Sequence, residues 1–453
     1  MNKIGTLKTY TSKEIDKSYV SIDFCCLDRE LFKPEKCYEL LGKTGIKHAR
    51  CQTGWSRCEK EKGVYTFDWL DSVIDNLCEQ GVTPWLSVTY GNPVYMPDCP
   101  NPTGVGCVPL YYGEETLTAW KNFVFEIASR YKDRVTYYEI WNEPNSPAFW
   151  HPSVPDGAEY GKLVNITAEV IRSVQPDAKF VCNVAGAHAF KFLNSLFDTV
   201  KKEYLNVFSY HVYTKVPEYR TAESIVQVRK MLSSKGFTDV EFWQGESGYP
   251  SWTYEGHWLV KEGCDDEIAQ AVYQLRRYFI DASIGVTRSS FFQMADMWEG
   301  SYTTTSKVIK KVAAHGILNG LTYTPKKSYE TITNLSTIFS GDIKPTENFM
   351  LVDIDSKSPV DMIACQKMTF EKDSIPLYAY YYPSSLADRT EITFNATVTV
   401  LNAFENPVLI DPLSGEVFEA EEPNFSGYGY YEYKLPIKEY PLILTDKSAF
   451  EID

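Results

Sequence analysis

From residue 19 onward, short runs of β-branched and aromatic residues alternate with stretches in which apolar residues recur three and four positions apart. The first pattern fits strands and the second amphipathic helices. The strand candidates are YVSIDF (19–24), IKHARCQ (46–52), TPWLSVTYG (83–91), VTYYEIWNE (135–143), KFVCNVAGA (179–187), NVFSYHVY (206–213), DVEFWQGES (239–247) and TRSSFFQMA (287–295). Between them lie helical patterns such as FDWLDSVIDNLCEQG, LTAWKNFVFEIASRYKD, AEYGKLVNITAEVIRSV and EIAQAVYQLRRYFIDASIG. Gly81, Gly236 and Gly285 stand where such helices should stop. A last helix, TPKKSYETITNLSTIF, ends before SGD.

Eight strand-helix units predict an α/β fold of the (β/α)8 TIM-barrel type, for which ~250 residues plus insertions is usual. The doubly wound sheet is the alternative, and no G-x-G-x-x-G follows any strand candidate to favour it. After about residue 337 the helical period disappears, and short runs such as FMLVDI, PLYAYYYP, TEITFNATVTVL and YPLILTD follow one another between turn residues. These predict a C-terminal β-sandwich. The expected division is a catalytic barrel at 1–337 and an accessory sandwich at 338–453.

Composition narrows the function. A formal net charge of -15, from 45 Lys plus Arg against 60 Asp plus Glu, would repel a phosphate backbone or an anionic membrane face. Nucleic acid and membrane partners are therefore not expected. Aromatic residues make up 15% of the chain, and rings with a polar edge suit both a core and a sugar surface. No apolar run near the N-terminus resembles a signal peptide, which makes the expected location cytoplasmic for the sequence as it stands, unless a leader has been removed. The 11 cysteines show no regular framework, and reduced thiols are expected. Were the protein exported, Cys99 and Cys107 are the pair placed to bridge a loop.

In a (β/α)8 barrel the chemistry sits at the C-terminal ends of the strands. There this chain carries Arg50 on the second strand, Asn142 and Glu143 on the fourth, His211 and Tyr213 on the sixth, and Glu246 on the seventh. Two carboxylates on opposite sides of one mouth are what a glycosidase needs, one to protonate the leaving oxygen and one to act at the anomeric carbon. Strict strand alternation would send Asn142 and Glu143 to opposite faces, so both serve the mouth only if the strand is already ending there. Trp252 and Trp298, in the loops after the seventh and eighth strands, are candidate sugar-stacking walls. The histidines have no metal-site spacing, so no metal and no cofactor is expected.

W-N-E-P-N at 141–145, with H-x-Y at 211–213 and E-x-G at 246–248, resembles glycoside hydrolase clan A, and family 39 in particular, the β-xylosidases and α-L-iduronidases. The resemblance extends over the barrel order and the trailing sandwich. It implies that Glu143 is the general acid/base, Glu246 the nucleophile, and Asn142 a partner for the sugar 2-hydroxyl. It further implies that Tyr213 hydrogen-bonds the nucleophile, that His211 lines the subsite, and that Arg50 holds the nucleophile ionised. The expected function is thus a retaining, exo-acting β-glycosidase on an oligosaccharide or glycoside of a neutral sugar. A non-catalytic sugar-binding protein and a transglycosylase are the alternatives. In the eighth strand family members often carry Trp where this chain has Phe292 or Gln293, which leaves the floor of the sugar site open.

Overall fold

The computed structural model describes the chain except residues 253–265, 298–300, 303–307, 310–312, 356–362, 387–393 and 402. A first strand, β1 (Asn2–Thr6), precedes eight that close into a barrel in chain order. These are β2 (Val20–Asp23), β3 (His48–Gln52), β4 (Thr83–Val88), β5 (Tyr137–Ile140), β6 (Lys179–Ala185), β7 (Val207–His211), β8 (Glu241–Ser247) and β9 (Arg288–Phe291). Each lies inside one of the eight predicted runs, and each neighbouring pair is parallel.

The helices form where the apolar spacing says they should. In Asp68–Glu79 the buried residues are Leu70, Val73, Ile74 and Leu77, one stripe of a helical wheel, and Gly81 follows at φ +80°. Such a stripe contributes about 1.5–3 kcal/mol per large side chain removed from water, and a glycine takes the left-handed turn at no steric cost.

The barrel interior is layered. At its N-terminal end Trp85, Val181, Val207 and Trp243 form a separate apolar cluster with Tyr137 packed against it, and Arg288 lies over the Trp243 ring at 3.8 Å. Two residues further along their strands stand Ser87, Glu139, Asn183 and Ser209, all buried and all polar. Usual barrel layers are bulky and branched. The change from apolar floor to polar upper layer marks the end of the barrel where a site is built.

After the barrel come two antiparallel sheets, as the sequence predicts. One has seven strands in the spatial order β1, Glu416–Glu419, Pro407–Asp411, Leu442–Asp446, Ile375–Tyr381, Gln366–Lys372 and Ile343–Thr346. The other pairs Met350–Ile354, Asn395–Leu401, Tyr430–Pro436 and Asn424–Gly427. Alternate residues Met350, Val352 and Ile354 are buried while Leu351 and Asp353 face solvent, the parity of a one-sided sheet. The sequence reading missed β1, a polar pentapeptide that joins the edge of the C-terminal sheet only because Glu416–Glu419 offers it a ladder. Arg276, on the helix Glu267–Ser283, binds Glu218 through two 2.7 Å bonds and donates to the Ser384 carbonyl at 2.9 Å, tying the barrel to the segment after Ile375–Tyr381. Among the described residues no helix is long and apolar enough to cross a membrane.

One expectation is corrected here. Cys99 and Cys107 form a disulfide with a Cα–Cα distance of 5.9 Å, so not every thiol is reduced. Residue spacing could not decide this, because the pairing depends on the loop folding back at Gly91 and Gly104, whose backbones bond at 3.0 Å. Removing the bridge as the Cys99→Ala/Cys107→Ala variant is expected to destabilise the fold by about 2–3 kcal/mol, since it closes a short loop. The check is the Tm of both proteins with and without dithiothreitol; a wild-type Tm indifferent to reductant would remove the bridge from the stability of the loop.

Candidate active site

The motif W-N-E-P-N begins where β5 stops. Trp141 has φ 68° and Glu143 φ 45°, both in the left-handed region that costs a non-glycine residue roughly 1–2 kcal/mol. These two turns break the period of two, which is how Asn142 and Glu143 both reach the mouth. The strand therefore ends at Ile140, three residues before its predicted end.

What holds the strained turn is the neighbouring strand. Asn183 on β6 donates from Nδ2 to the Trp141 carbonyl at 2.8 Å and accepts the Glu143 N–H at 2.7 Å. Asn145 repeats this in reverse, donating to the Ala185 carbonyl at 2.9 Å and accepting the Ala185 N–H at 2.7 Å. Two side-chain amides thus replace the ladder bonds that β5 has ceased to supply. Trp141 itself turns outward, donating to the Phe149 carbonyl at 2.7 Å and packing edge-on to Trp150. Tyr138 also points out of the barrel, to Gln175 at 2.9 Å. The side chains of Trp141 and Tyr138 are thus spent beneath the helices and offer Glu143 no apolar wall.

Glu143 meets His211 and Glu246 across the mouth. One ligand-capable atom from each of the three lies within 4.8 Å of the others. His211 Nδ1 is 3.0 Å from Glu143 Oε1 and 3.6 Å from Glu246 Oε2. Burial pushes the His211 imidazole down to about 4, Glu246 opposing, so the ring is neutral near pH 7. Burial pushes the Glu143 carboxyl up to about 7, with the Arg50 charge opposing. The 3.0 Å contact is then a hydrogen bond and not an ion pair.

Glu246 stands at the far side of the mouth, near the end of β8, with a donor on each oxygen. Tyr213 OH gives one bond to Oε1 at 2.7 Å, and Arg50 Nη1 gives the other to Oε2 at 2.7 Å. Arg50 also donates from Nη2 to Asn142 Oδ1 at 2.7 Å. Five of the expected residues, Arg50, Asn142, His211, Tyr213 and Glu246, thus meet in one network, and Glu143 joins it through His211. Glu241, the other carboxylate on β8, lies at the strand's other end, accepting from Trp243 Nε1 at 3.1 Å. Trp252, in the loop after β8, is 48% exposed, and Trp298 lies outside the described residues. His211 is 2% exposed, so its contact is with Glu143 more than with the open pocket it was expected to line. Phe292, partly buried, faces the Tyr213 ring at 6.4 Å, beside a fully buried Gln293.

The Glu143, His211 and Glu246 set has the spacing of three ligands, yet both Glu246 oxygens already accept hydrogen bonds and Arg50 supplies a fixed positive charge beside them. The arrangement suits proton transfer and attack by a carboxylate better than it suits a cation.

Sequence reasoning missed three polar residues here. Asp23 on β2 is sealed from solvent, 3.9 Å from Arg50 Nη1, and burial holds its carboxyl well above the usual carboxylate range. Glu139 on β5 binds the other edge of Arg50. Asn183 clamps the motif. For Glu139 the missing signal was present, a carboxylate inside the apolar run that ends in Glu143.

The family description "Glycosyl hydrolases family 39" matches residues 35–243. A beta-xylosidase of Geobacillus stearothermophilus is 23% identical over 184 residues, 37% of this chain and 34% of that protein. A beta-xylosidase of Caldicellulosiruptor saccharolyticus is 29% identical over 160 residues, 32% and 31% respectively. The chain thus spans about a third of the length of the curated relatives it matches. Among solved structures, a glycoside hydrolase family 30 subfamily 8 xylanase from Clostridium acetobutylicum superposes with a TM-score of 0.59 at 10% identity, covering 98% of this chain and 97% of that one. A family 51 α-L-arabinofuranosidase from Bifidobacterium longum gives 0.55 at 13% identity, with 98% of each chain covered. At these identities the likeness is one of fold, a barrel with trailing β-sheets.

Proposed function

The chain belongs to glycosyl hydrolases family 39 through residues 35–243, and from that premise we propose that it is a retaining glycoside hydrolase acting on a β-linked neutral sugar of the xyloside type. The observation that carries this reading is the pair Glu143 and Glu246, with carboxylate oxygens no more than 4.8 Å apart across one mouth. A retaining enzyme needs its two carboxyls about 5–5.5 Å apart, whereas an inverting one needs about 6.5–9.5 Å to admit a water.

In the proposed sequence Glu246 attacks the anomeric carbon while Glu143, protonated, gives its proton to the departing oxygen. Glu143, now a carboxylate, then takes a proton from water, which displaces Glu246 and releases the sugar with its configuration retained. Arg50 and Tyr213 hold the attacking carboxylate by one oxygen each. Asn142 has its Oδ1 committed to Arg50, which leaves its amide NH2 to meet the sugar 2-hydroxyl. His211, neutral, holds Glu143 in place through both half-reactions.

The neutral-sugar assignment draws on the two relatives named beta-xylosidase and on the loop 92–113, which contains no Lys or Arg to meet a uronate. Exo action and the stacking roles of Trp252 and Trp298 belong to the same proposal. Its test is incubation with a dinitrophenyl 2-deoxy-2-fluoro-β-xyloside followed by intact-protein mass spectrometry. The expected result is one fluorosugar per chain, mapped to the peptide holding Glu246. A chain that cleaves nitrophenyl β-xyloside without ever carrying the label would refute the covalent route, and cleavage of other glycosides alone would move the substrate.

A further inference from the structure

A buried acid under the mouth has no part in the sequence of steps just described. Glu139 is completely sealed from solvent, on β5 four residues before Glu143. A charge there is costly unless paired, and nothing in the packing of an apolar strand calls for one. Its partner is Arg50: the guanidinium Nε lies 3.0 Å from Glu139 Oε1 and 3.3 Å from Oε2, and Nη2 reaches Oε1 as well. Ser87 Oγ on β4 donates to the same Oε1 at 3.0 Å.

The guanidinium is planar and rigid, so fixing its Nε and Nη2 edge fixes where the rest of it points. The rest points at the reaction. The second Nη2 bond goes to Asn142 Oδ1 and the Nη1 bond to Glu246 Oε2, both 2.7 Å. Asp23 stands off at 3.9 Å from the same Nη1, beyond the 2.7 Å of the Glu246 bond, and burial pushes its carboxyl well above the usual carboxylate range. One arginine is thereby anchored on strand β5 and serves two groups that face the sugar.

We propose that Glu139 is a positioning residue for the reaction proposed above: through Arg50 it aims the Glu246 carboxylate and the Asn142 amide at one sugar ring, without touching the sugar. The inference rests on that reaction, and the experiment separates the two. The fluoroxyloside used above has no 2-hydroxyl, so its labelling rate reads Glu246 alone; nitrophenyl β-xyloside reads Glu246 and Asn142 together.

In Glu139→Gln the labelling rate at saturation is expected to fall about tenfold or more, with the half-saturating concentration changed by less than about threefold, because an aim that matters in the transition state moves rate and not binding. The fall in kcat on the nitrophenyl substrate is expected to be larger still. Rates are counted per labelled site at the end point, which removes any unfolded fraction. Ser87→Ala, a small change remote from solvent, is expected to move the labelling rate the same way by about two- to fivefold. It keeps the test decisive should Glu139→Gln fail to fold. Wild-type labelling with folded Glu139→Gln or Ser87→Ala reacting as fast as wild type overturns the positioning role and leaves the reaction standing. A wild-type chain that takes no label overturns both.

Discussion

Glu246→Gln is expected to lower kcat/KM for an aryl β-xyloside by on the order of 10⁴- to 10⁶-fold, the scale seen when a covalent nucleophile is removed from an otherwise intact site. The amide keeps the shape of the carboxylate but cannot form the glycosyl ester, and it sets an NH2 against either the Tyr213 hydroxyl or the Arg50 guanidinium, both of which donate to the native oxygens at 2.7 Å. Initial rates on dinitrophenyl and nitrophenyl xylosides, with circular dichroism to show the fold, make the check. Retention of more than about a tenth of wild-type activity would assign the attack to another group.

Glu143→Gln should be slowed by about 10²- to 10⁴-fold, the usual worth of a positioned acid/base. Loss should be least for dinitrophenol, which leaves without a proton. The pH profile gives a sharper reading. With the Glu143 carboxyl pushed up to about 7 by burial, the protonated form needed for leaving-group departure disappears as pH rises through that value. Wild-type kcat/KM is therefore expected to fall on the alkaline side with a midpoint near 7, and the variant to lack that limb.

The same displacement burdens the fold. In the unfolded chain the side chain ionises near its ordinary 4.5, whereas in the folded chain it resists ionising until about 7. Between those values the folded state binds more protons than the unfolded one, so stability falls as pH rises through the window. The full shift corresponds to about 3 kcal/mol, and with the side chain 14% exposed a cost of about 2 kcal/mol is the better expectation. Glu143→Gln should thus be the more stable protein at pH 8, by roughly that amount, and no more stable at pH 4. Urea midpoints at the two pH values decide it. Equal stability at both would mean that Glu143 is not strained by its burial.

Much of the barrel was legible because each unit declares itself locally. A β-rich run followed by a helical stripe needs no partner to be recognised, and eight of them in order leave few ways to close. Glu143 was legible for a related reason, since a carboxylate at the end of an apolar run conflicts with burial unless the chain has a use for it. Glu246 and Tyr213 were legible through their motifs and their places at strand ends. Element ends were less so: the predicted strand at 135–143 contains the observed Tyr137–Ile140, because the turn at Trp141 is set by Asn183, on a strand about forty residues further along the chain, and by Asn145 pairing with that same strand.

The sequence alone determined the kind of fold and placed Glu143 and Glu246 at strand ends, because periods mark the strands and a charge closing an apolar run marks where a strand stops being buried. Only the tertiary structure decided that Arg50 is shared by Glu139, Asn142 and Glu246, that Asp23 is buried beside them, that β1 closes an edge of the distant sheet, and that Cys99 finds Cys107. Those facts depend on which strand ends become neighbours when the ring closes, and the alternation of side chains along one strand carries no information about what stands across from it.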